Sequence, residues 1–477
     1  MAKQPKPEYR CTECGWTSAK WVGQCRECRA WGTVEEAAPP PLAQPGQTRS
    51  LAPRTSAEPI SAVSAEVARA RTTGVSELDR VLGGGIVPGA IVLLAGEPGV
   101  GKSTLLLDVA ARAASDSRAR GAGPVLYISG EESASQIRLR AERIGAIDDA
   151  LLLAAETNLE TILGHVDEQD PSLLVIDSIQ TIHSSTSDGG IGGVTQVRTV
   201  TAQLIAAAKQ RNLPVILVGH VTKDGGIAGP RILEHLVDVV CQFEGERHGR
   251  LRLLRAVKNR YGPTDEVGCF DLNDTGIVGL PDPSGLFLSN TRADTPGTCI
   301  TVTLEGRRPM PTEIQSLVAA TAGGSPRRTT SGLEHSRVAM MLAVMQARAG
   351  VDTSSMDVYV STVGGARTCE PAADLAMALA MMSAALDRST RLGLVAFGEV
   401  GLTGEIRTTT GVQRRLQEAA RLGFTHALVP AVGADSLTPV AGITIIPVSN
   451  LGSAARLALT KPVNREMIDE ELSSPDK

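Results

Sequence analysis

The segment Gly96-Glu97-Pro98-Gly99-Val100-Gly101-Lys102-Ser103 constrains this chain more than any other stretch. Glycine, four residues, then Gly-Lys-Ser is the spacing of a phosphate-binding loop. The flanks agree with it. Ile91-Val92-Leu93-Leu94-Ala95 reads as a buried strand, and Thr104-Leu105-Leu106-Leu107 opens a helix. The glycines let backbone N–H groups turn inward around phosphate, and the helix N-terminus adds partial positive charge there. Lys102 is placed for the β/γ-phosphates and Ser103 for Mg²⁺. The expected nucleotide site is therefore Gly96, Glu97, Pro98, Gly99, Val100, Gly101, Lys102, Ser103 and Thr104, holding ATP and Mg²⁺.

The eight cysteines divide sharply. Cys11-x-x-Cys14, ten residues, then Cys25-x-x-Cys28 has the spacing of a four-thiolate Zn²⁺ site, each pair supplying two ligands from a tight turn. Cys241, Cys269, Cys299 and Cys369 are isolated and read as core thiols. All three tryptophans, Trp16, Trp21 and Trp31, fall beside the cysteine pairs, and residues 1–32 carry six Lys/Arg against three Glu. So small a module lacks a core of its own, and metal plus stacked indoles would replace one. Its indoles and cations suit either stacking on single-stranded bases or packing against protein.

At 477 residues the chain has room for about three domains. A net charge of −5 is no global nucleic-acid signature, so any such site must be a local patch. No apolar run reaches membrane-spanning length, and the start lacks a signal-peptide core, so a cytoplasmic protein is expected. Residues 35–59 hold six prolines and read as a semi-extended tether.

Beyond residue 60 the pattern alternates strand and helix. Val125–Ser129 is followed by Gly130-Glu131-Glu132-Ser133, and Leu173–Asp177 ends on a carboxylate placed to hold the Mg²⁺ shell. Val215–Gly219 runs into His220. Such alternation implies a parallel sheet with ligands at the strand C-terminal ends. Glu131 or Glu132 is the candidate to activate water. His220 is either a γ-phosphate sensor or a hydrogen-bonding loop histidine. Ser184–Gly193 and Lys223–Pro230 are Gly-rich stretches following that edge, suited to face a polymer or simply to lie on the surface. Residues 247–260 carry Arg247, Arg250, Arg252, Arg255, Lys258 and Arg260 with no acidic residue. A strand here would turn several arginines outward on one face, for phosphate backbone or for a neighbouring subunit's ATP site.

The cysteine set, the phosphate loop, Gly130-Glu131-Glu132-Ser133 and Lys258-Asn259-Arg260-Tyr261-Gly262, in that order, resemble the RadA (Sms) family of bacterial DNA repair proteins. Tyr261 stands where that family typically has Phe, which keeps the ring and adds a hydroxyl. The resemblance implies a RecA-like ATPase in a homo-hexameric ring. It implies a DNA-stimulated motor extending branches in recombination intermediates, with single-stranded and branched DNA and the RecA recombinase as partners. Carried over by position, Lys102, Glu131, Asp177, Lys258 and Arg260 are its catalytic set. Asp177 is the Walker B acid, Glu131 the catalytic glutamate, and Lys258 and Arg260 serve DNA work and inter-subunit ATP sensing.

After residue 285, Thr368–Asp374 and Gly411–Arg415 resemble the proteolytic domain of Lon, but Ala372 and Gln413 stand where its Ser nucleophile and Lys base belong. Neither can do that chemistry, so an assembly platform is expected rather than a protease. Arg407, Arg414 and Arg415 are its candidate contacts to duplex DNA, unless they are a solvated surface. The expected fold class is α/β: a RecA-like P-loop ATPase core at 60–284, preceded by a small four-cysteine zinc finger at 1–34 and the linker at 35–59. An α+β Lon-protease-like domain at 285–465 and an acidic tail at 466–477 follow. The alternative function is a nucleotide-gated RecA-like scaffold ATPase that does not act on DNA.

Overall fold

A computed structural model of the chain describes residues 9–13, 16–18, 20–36, 59–62, 66, 69–187, 189–220, 233–245, 250–288, 295–321 and 323–460. Cys14, Arg247, the stretch 223–230, most of the linker and the 466–477 tail lie outside the described residues. The chain divides into two compact units, Met1–Ser64 and Ala65–Lys477.

The first unit is a three-stranded antiparallel sheet of β1 (Tyr9–Cys11), β2 (Thr17–Ser18) and β3 (Val34–Glu36), in the order β2-β1-β3. Its small core is Cys11, Cys25 and Val34, with Tyr9, Trp16 and Val22 against it. Only one of the three indoles therefore joins the core. Trp21 and Trp31 are 62% and 75% exposed, correcting the expected stack. Trp21 instead donates its indole N–H to the Val34 carbonyl at 3.0 Å.

The second unit opens with α1 (Ser76–Leu82) and β4 (Ile91–Gly96), then α2 (Lys102–Ala119), β5 (Val125–Ser129) and α3 (Ala134–Ile144). It continues with β6 (Leu151–Ala155), α4 (Leu159–Gln169), β7 (Leu173–Asp177), α5 (Val194–Arg211) and β8 (Val215–His220). β9 (Val239–Gly245), β10 (Leu251–Asn259), β11 (Val267–Asn273) and β12 (Gly276–Gly279) complete a nine-stranded sheet, ordered β12-β11-β10-β9-β4-β8-β7-β5-β6. From β9 to β6 the strands are parallel, and β10 to β12 form an antiparallel extension.

Both faces of the parallel part are covered, which is why its strands read as unbroken apolar runs. Val92 and Leu94 of β4 point to a core shared with Leu105, Leu106 and Val109 of α2. Ile91 and Leu93 point the other way, to Val197, Val200 and Leu204 of α5. The period-two side-chain alternation of a strand assigns each residue its face. The parallel register aligns Gly96 with His220 and Ser129 with Asp177, bringing the strand C-termini to one edge.

After the short α6 (Ser284–Phe287) come β13 (Thr298–Glu305), β14 (Arg308–Ala320), β15 (Arg328–Ser331), α7 (His335–Ala349) and β16 (Met356–Thr362). α8 (Asp374–Leu386), β17 (Leu394–Ala396), the hairpin β18 (Glu399–Val400) and β19 (Ile406–Arg407), and α9 (Val412–Arg421) follow. β20 (His426–Pro430), β21 (Thr444–Val448) and α10 (Leu451–Ala458) complete the described residues. The second sheet runs β15-β16-β14-β13-β17-β20-β21. α8 is buried from Asp374 to Ser383, as its Ala/Met/Leu composition requires.

The two sheets and their flanking helices are tied by ion pairs within this unit. Arg308, 6% exposed, meets Glu77, 1% exposed, and also donates to the Val267, Leu280 and Pro281 carbonyls. Arg255 reaches Glu305 at 2.6 Å, and Arg421 reaches Asp282 at 2.7 Å. Cys241, Cys269 and Cys299 are core thiols, which burial pushes up to about 12, 11 and 12. Cys369 is exposed, which corrects its reading as a fourth. It sits in the turn before α8, outside both sheets.

Candidate functional site

Strand β4 ends at Gly96, and the loop delivers Lys102 as the first residue of α2. Gly96 has to be glycine, because a Cβ there would lie 2.5 Å from the Phe243 carbonyl oxygen. Gly99 and Gly101 adopt φ of +78° and +107°, a region that favours glycine. Lys102 is 4% exposed, and its ammonium donates to the Gly96 and Glu97 carbonyls at 2.8 and 2.9 Å. Burial lowers its pKa to about 8, against the opposing pull of Asp177 and Glu131. A cation inside a cradle of glycines at a helix N-terminus fits a polyphosphate.

Asp177 ends β7 and is 8% exposed. The phenol of Tyr127, on the adjacent β5, donates to its Oδ2 at 2.8 Å. Tyr127 is 1% exposed, and burial beside a carboxylate raises its hydroxyl well above the ordinary range. Sequence reasoning missed Tyr127. The available signal was a lone aromatic in the β5 apolar run, in a strand beside the one that carries the acid. With Ser103 opening α2 at the same edge, Asp177 and Ser103 are the residues that fit Mg²⁺.

The two glutamates after β5 have different surroundings. Glu132 Oε1 is paired with Arg140 at 2.6 Å. Glu131 Oε1 accepts from Ser178 Oγ and lies 3.2 Å from His220 Nε2, while its side chain is 42% exposed. Gly130 lets the chain pass close to Thr181 here, since a Cβ would lie 2.0 Å from Thr181 Oγ1. His220 Nδ1 is buried with no hydrogen-bond partner among the described residues. The Ser184–Gly193 stretch is tied down at its start. Gln196, 4% exposed, accepts from Ser184 N–H and donates to the Ser184 and Ser187 carbonyls.

Lys258 and Arg260 are not brought to this edge. Asn259 pairs with Val239, which pairs with Val92, and Arg260 N–H donates to the Asp238 carbonyl just outside β9. That places Arg260 level with the start of β4, whose six residues span roughly 20 Å at ~3.3 Å each. Lys258 Nζ donates to the Glu234 and Val237 carbonyls at 2.7 and 2.9 Å. Arg260 pairs with Asp238 at 3.3 Å, and Asp238 also holds Lys209 at 2.8 Å and the Ile91 N–H. Tyr261, whose hydroxyl lies 3.4 Å from Lys209 Nζ, joins this cluster through the atom that Phe would lack.

Among the described residues, the single outward face of arginines expected along 247–260 does not form over 250–260. Arg252 is buried, Arg255 points to the opposite face and pairs with Glu244 and Glu305, and Arg250 pairs with Asp271 at 3.0 Å. A strand alternates its side chains, so this run is shared between two faces. In the C-terminal part of the second unit, Ala372 is fully buried, and Gln413 makes a two-way hydrogen bond with the Thr438 backbone. Arg415 is 0% exposed and bonded to Glu370, Val302 O and Thr410 O, so it is no surface contact for DNA. Arg407 is engaged by Glu399 and Glu405, and Arg414 is exposed.

In the first unit, the sulfurs of Cys11, Cys25 and Cys28 lie within 4.8 Å of one another. Backbone hydrogen bonds fold the Cys25 turn, with Arg29 N–H donating to the Cys25 carbonyl at 3.0 Å. Converging thiolates suit Zn²⁺.

The comparisons with known proteins follow this layout. Residues 56–226 match the AAA domain family, 9–36 the rubredoxin metal binding domain, and 333–432 the subunit ChlI of Mg-chelatase. DNA repair protein RadA of Mycobacterium tuberculosis is 55% identical over 427 residues, 89% of this chain and 88% of its own length. RadA of Mycolicibacterium smegmatis is 53% identical over 461 residues, 94% of this chain and 96% of its own. RadA of Bacillus subtilis is 42% identical over 462 residues, covering 96% and 100%.

Proposed function

The chain belongs to the RadA family of DNA repair proteins, and from that premise we propose that it is a DNA-stimulated ATPase that drives branch migration of strand-exchange products. It is a P-loop ATPase with Zn²⁺, ATP and Mg²⁺ as its cofactors. Among the described residues no helix is long and apolar enough to cross a membrane; our reading places the protein in the cytoplasm.

The mechanism we propose uses the chain's own groups. Lys102 and the loop N–H groups would hold the β- and γ-phosphates, and Ser103 and Asp177 would hold Mg²⁺, which when bound would supply charge neutralisation of the phosphates. Tyr127 fixes the Asp177 carboxylate. Ser178 and His220 occupy Oε1 of Glu131, which leaves Oε2 to take the proton of a water attacking the γ-phosphorus. The bond to the β–γ bridging oxygen breaks, and that oxygen leaves on ADP.

One observation carries the motor reading. The Lys258-Asn259-Arg260 end of β10 lies at the opposite sheet edge from the chain's own nucleotide loop. A cation there is out of reach of its own loop and would serve the ATP site of a neighbouring copy in a head-to-tail assembly, which closes into a ring or runs on as a filament. We take that assembly to be a homo-hexamer working on single-stranded and branched DNA with the RecA recombinase, with the domain limits expected from the sequence. The test is ATP turnover with and without single-stranded DNA, at low and moderate salt, in Lys102→Ala chains, Arg260→Ala chains and their mixture. DNA stimulation, two dead variants and recovery on mixing are expected. A rate indifferent to DNA at every salt would favour the scaffold ATPase, and no recovery on mixing would refute the shared site.

A further inference from the structure

A loop that turns its N–H groups toward phosphate must turn carbonyls away from it, and a buried carbonyl needs a donor. In the nucleotide loop, Val100 is 6% exposed, and Arg252 Nε donates to its carbonyl oxygen at 3.3 Å from 152 residues away. Arg252 is itself 5% exposed and donates a further bond to the Leu251 carbonyl at 2.9 Å. The strand beside it is cleared for its stem: Arg252 pairs with Gly245, where a Cβ would lie 2.2 Å from Arg252 Cδ. A second brace comes from the same antiparallel extension. Ile277 of β12 packs beneath Gly101, where a Cβ would lie 2.3 Å from Ile277 Cδ1. Among the described residues, then, the back of the loop rests on a guanidinium and a methyl group from outside the parallel sheet.

We propose that Arg252 is a positioning residue of the nucleotide site, which holds the Val100 carbonyl outward and so preorganises the loop N–H groups for phosphate. The proposal rests on the ATP-binding reading of that loop. Burial lowers the Arg252 pKa, yet an arginine stays charged at any working pH, so the brace is permanent. A preorganised loop lowers the cost of ordering the site on binding and touches no bond that changes in the transition state. Its loss therefore weakens ATP and ADP alike and raises KM without lowering kcat. General damage to the fold does the reverse, lowering the active fraction, and with it kcat, at an unchanged KM.

The experiment measures KM and kcat for ATP, and equilibrium binding of ADP, in the full chain and in Arg252→Gln and Arg252→Lys. The surface variant Arg120→Gln and Lys102→Ala serve as controls. Arg252→Gln is expected to raise KM and the ADP Kd about tenfold, the scale of one lost charge-assisted hydrogen bond, with kcat within about twofold. Arg252→Lys keeps the buried charge but loses the planar fork, and is expected to fall between. It decides the matter if Arg252→Gln does not fold. A wild-type KM in any folded Arg252 variant, or a fall in kcat alone, overturns the proposal. A parent chain that binds no ATP, or binds it equally well as Lys102→Ala, refutes the loop assignment instead.

Discussion

The hydroxyl of Tyr127 donates to Asp177 Oδ2 at 2.8 Å across two neighbouring parallel strands, in a pocket where the tyrosine is 1% exposed. The bond leaves one oxygen of the carboxylate to face the nucleotide edge. Tyr127→Phe removes the donor and keeps the ring. It should cost about 1–2 kcal/mol of stability, the penalty of an acceptor left unpaired in a buried site. It should also raise the Mg²⁺ concentration needed for half-maximal ATP turnover. A magnesium titration of ATPase activity beside a urea melt checks both.

Glu131 and Glu132 are adjacent in sequence but separated by their partners in space. Glu132 is held by Arg140, whereas Glu131 shares an oxygen between Ser178 and His220. Glu131→Gln should lower kcat by about 10²-fold or more while ATP still binds. Glu132→Gln should leave turnover within a few-fold of the parent. Single-turnover hydrolysis with a separate binding measurement distinguishes them, and equal losses would contradict the assignment.

The buried Lys102 predicts two opposite pH trends. Its pKa is lowered from 10.5 to about 8 by burial. Between those values the unfolded chain holds a proton that the folded chain has released, so the contribution of Lys102 to stability rises with pH from about 8 to about 10.5. ATP needs the ammonium, so affinity should fall above about pH 8, approaching tenfold per unit. Nucleotide binding and melts of the nucleotide-free protein across roughly pH 7–10 test this, and Lys102→Met should erase both trends.

Glu77 and Arg308 are a buried pair joining α1 to the second sheet. Arg308→Met should destabilise the second unit by about 3 kcal/mol, because it takes the nearer cation from a buried carboxylate and leaves it only Arg80 at 3.6 Å and the Cys269 N–H at 2.9 Å. The Glu77→Gln/Arg308→Met double variant should recover part of that loss. Denaturant unfolding of the two single variants and the double measures the coupling.

The sulfurs of Cys11, Cys25 and Cys28 converge within 4.8 Å. Cys11→Ser with Cys25→Ser should release the bound zinc and unfold the first unit, which has little apolar core to fall back on. Metal analysis and tryptophan fluorescence report on each.

By itself the sequence determined what is local. The phosphate loop, the strands ending at Ser129, Asp177 and His220, the paired cysteines and the lost Ser/Lys dyad are each written in contiguous residues. Strand and loop chemistry act over a few positions, so such motifs can be read without coordinates. Parallel pairing then follows from the alternation, and with it the gathering of Lys102, Glu131 and Asp177 at one edge; the order of the strands does not. The tertiary structure decided what depends on partners far along the chain. Tyr127 and Asp177 are 50 residues apart, Val100 and Arg252 are 152 apart, and Glu77 and Arg308 are 231 apart. No local pattern announces such pairs. The same reason explains Arg252 and Arg415: charge is legible in sequence, but burial and pairing are set by packing, which turned these two expected surface cations into internal struts.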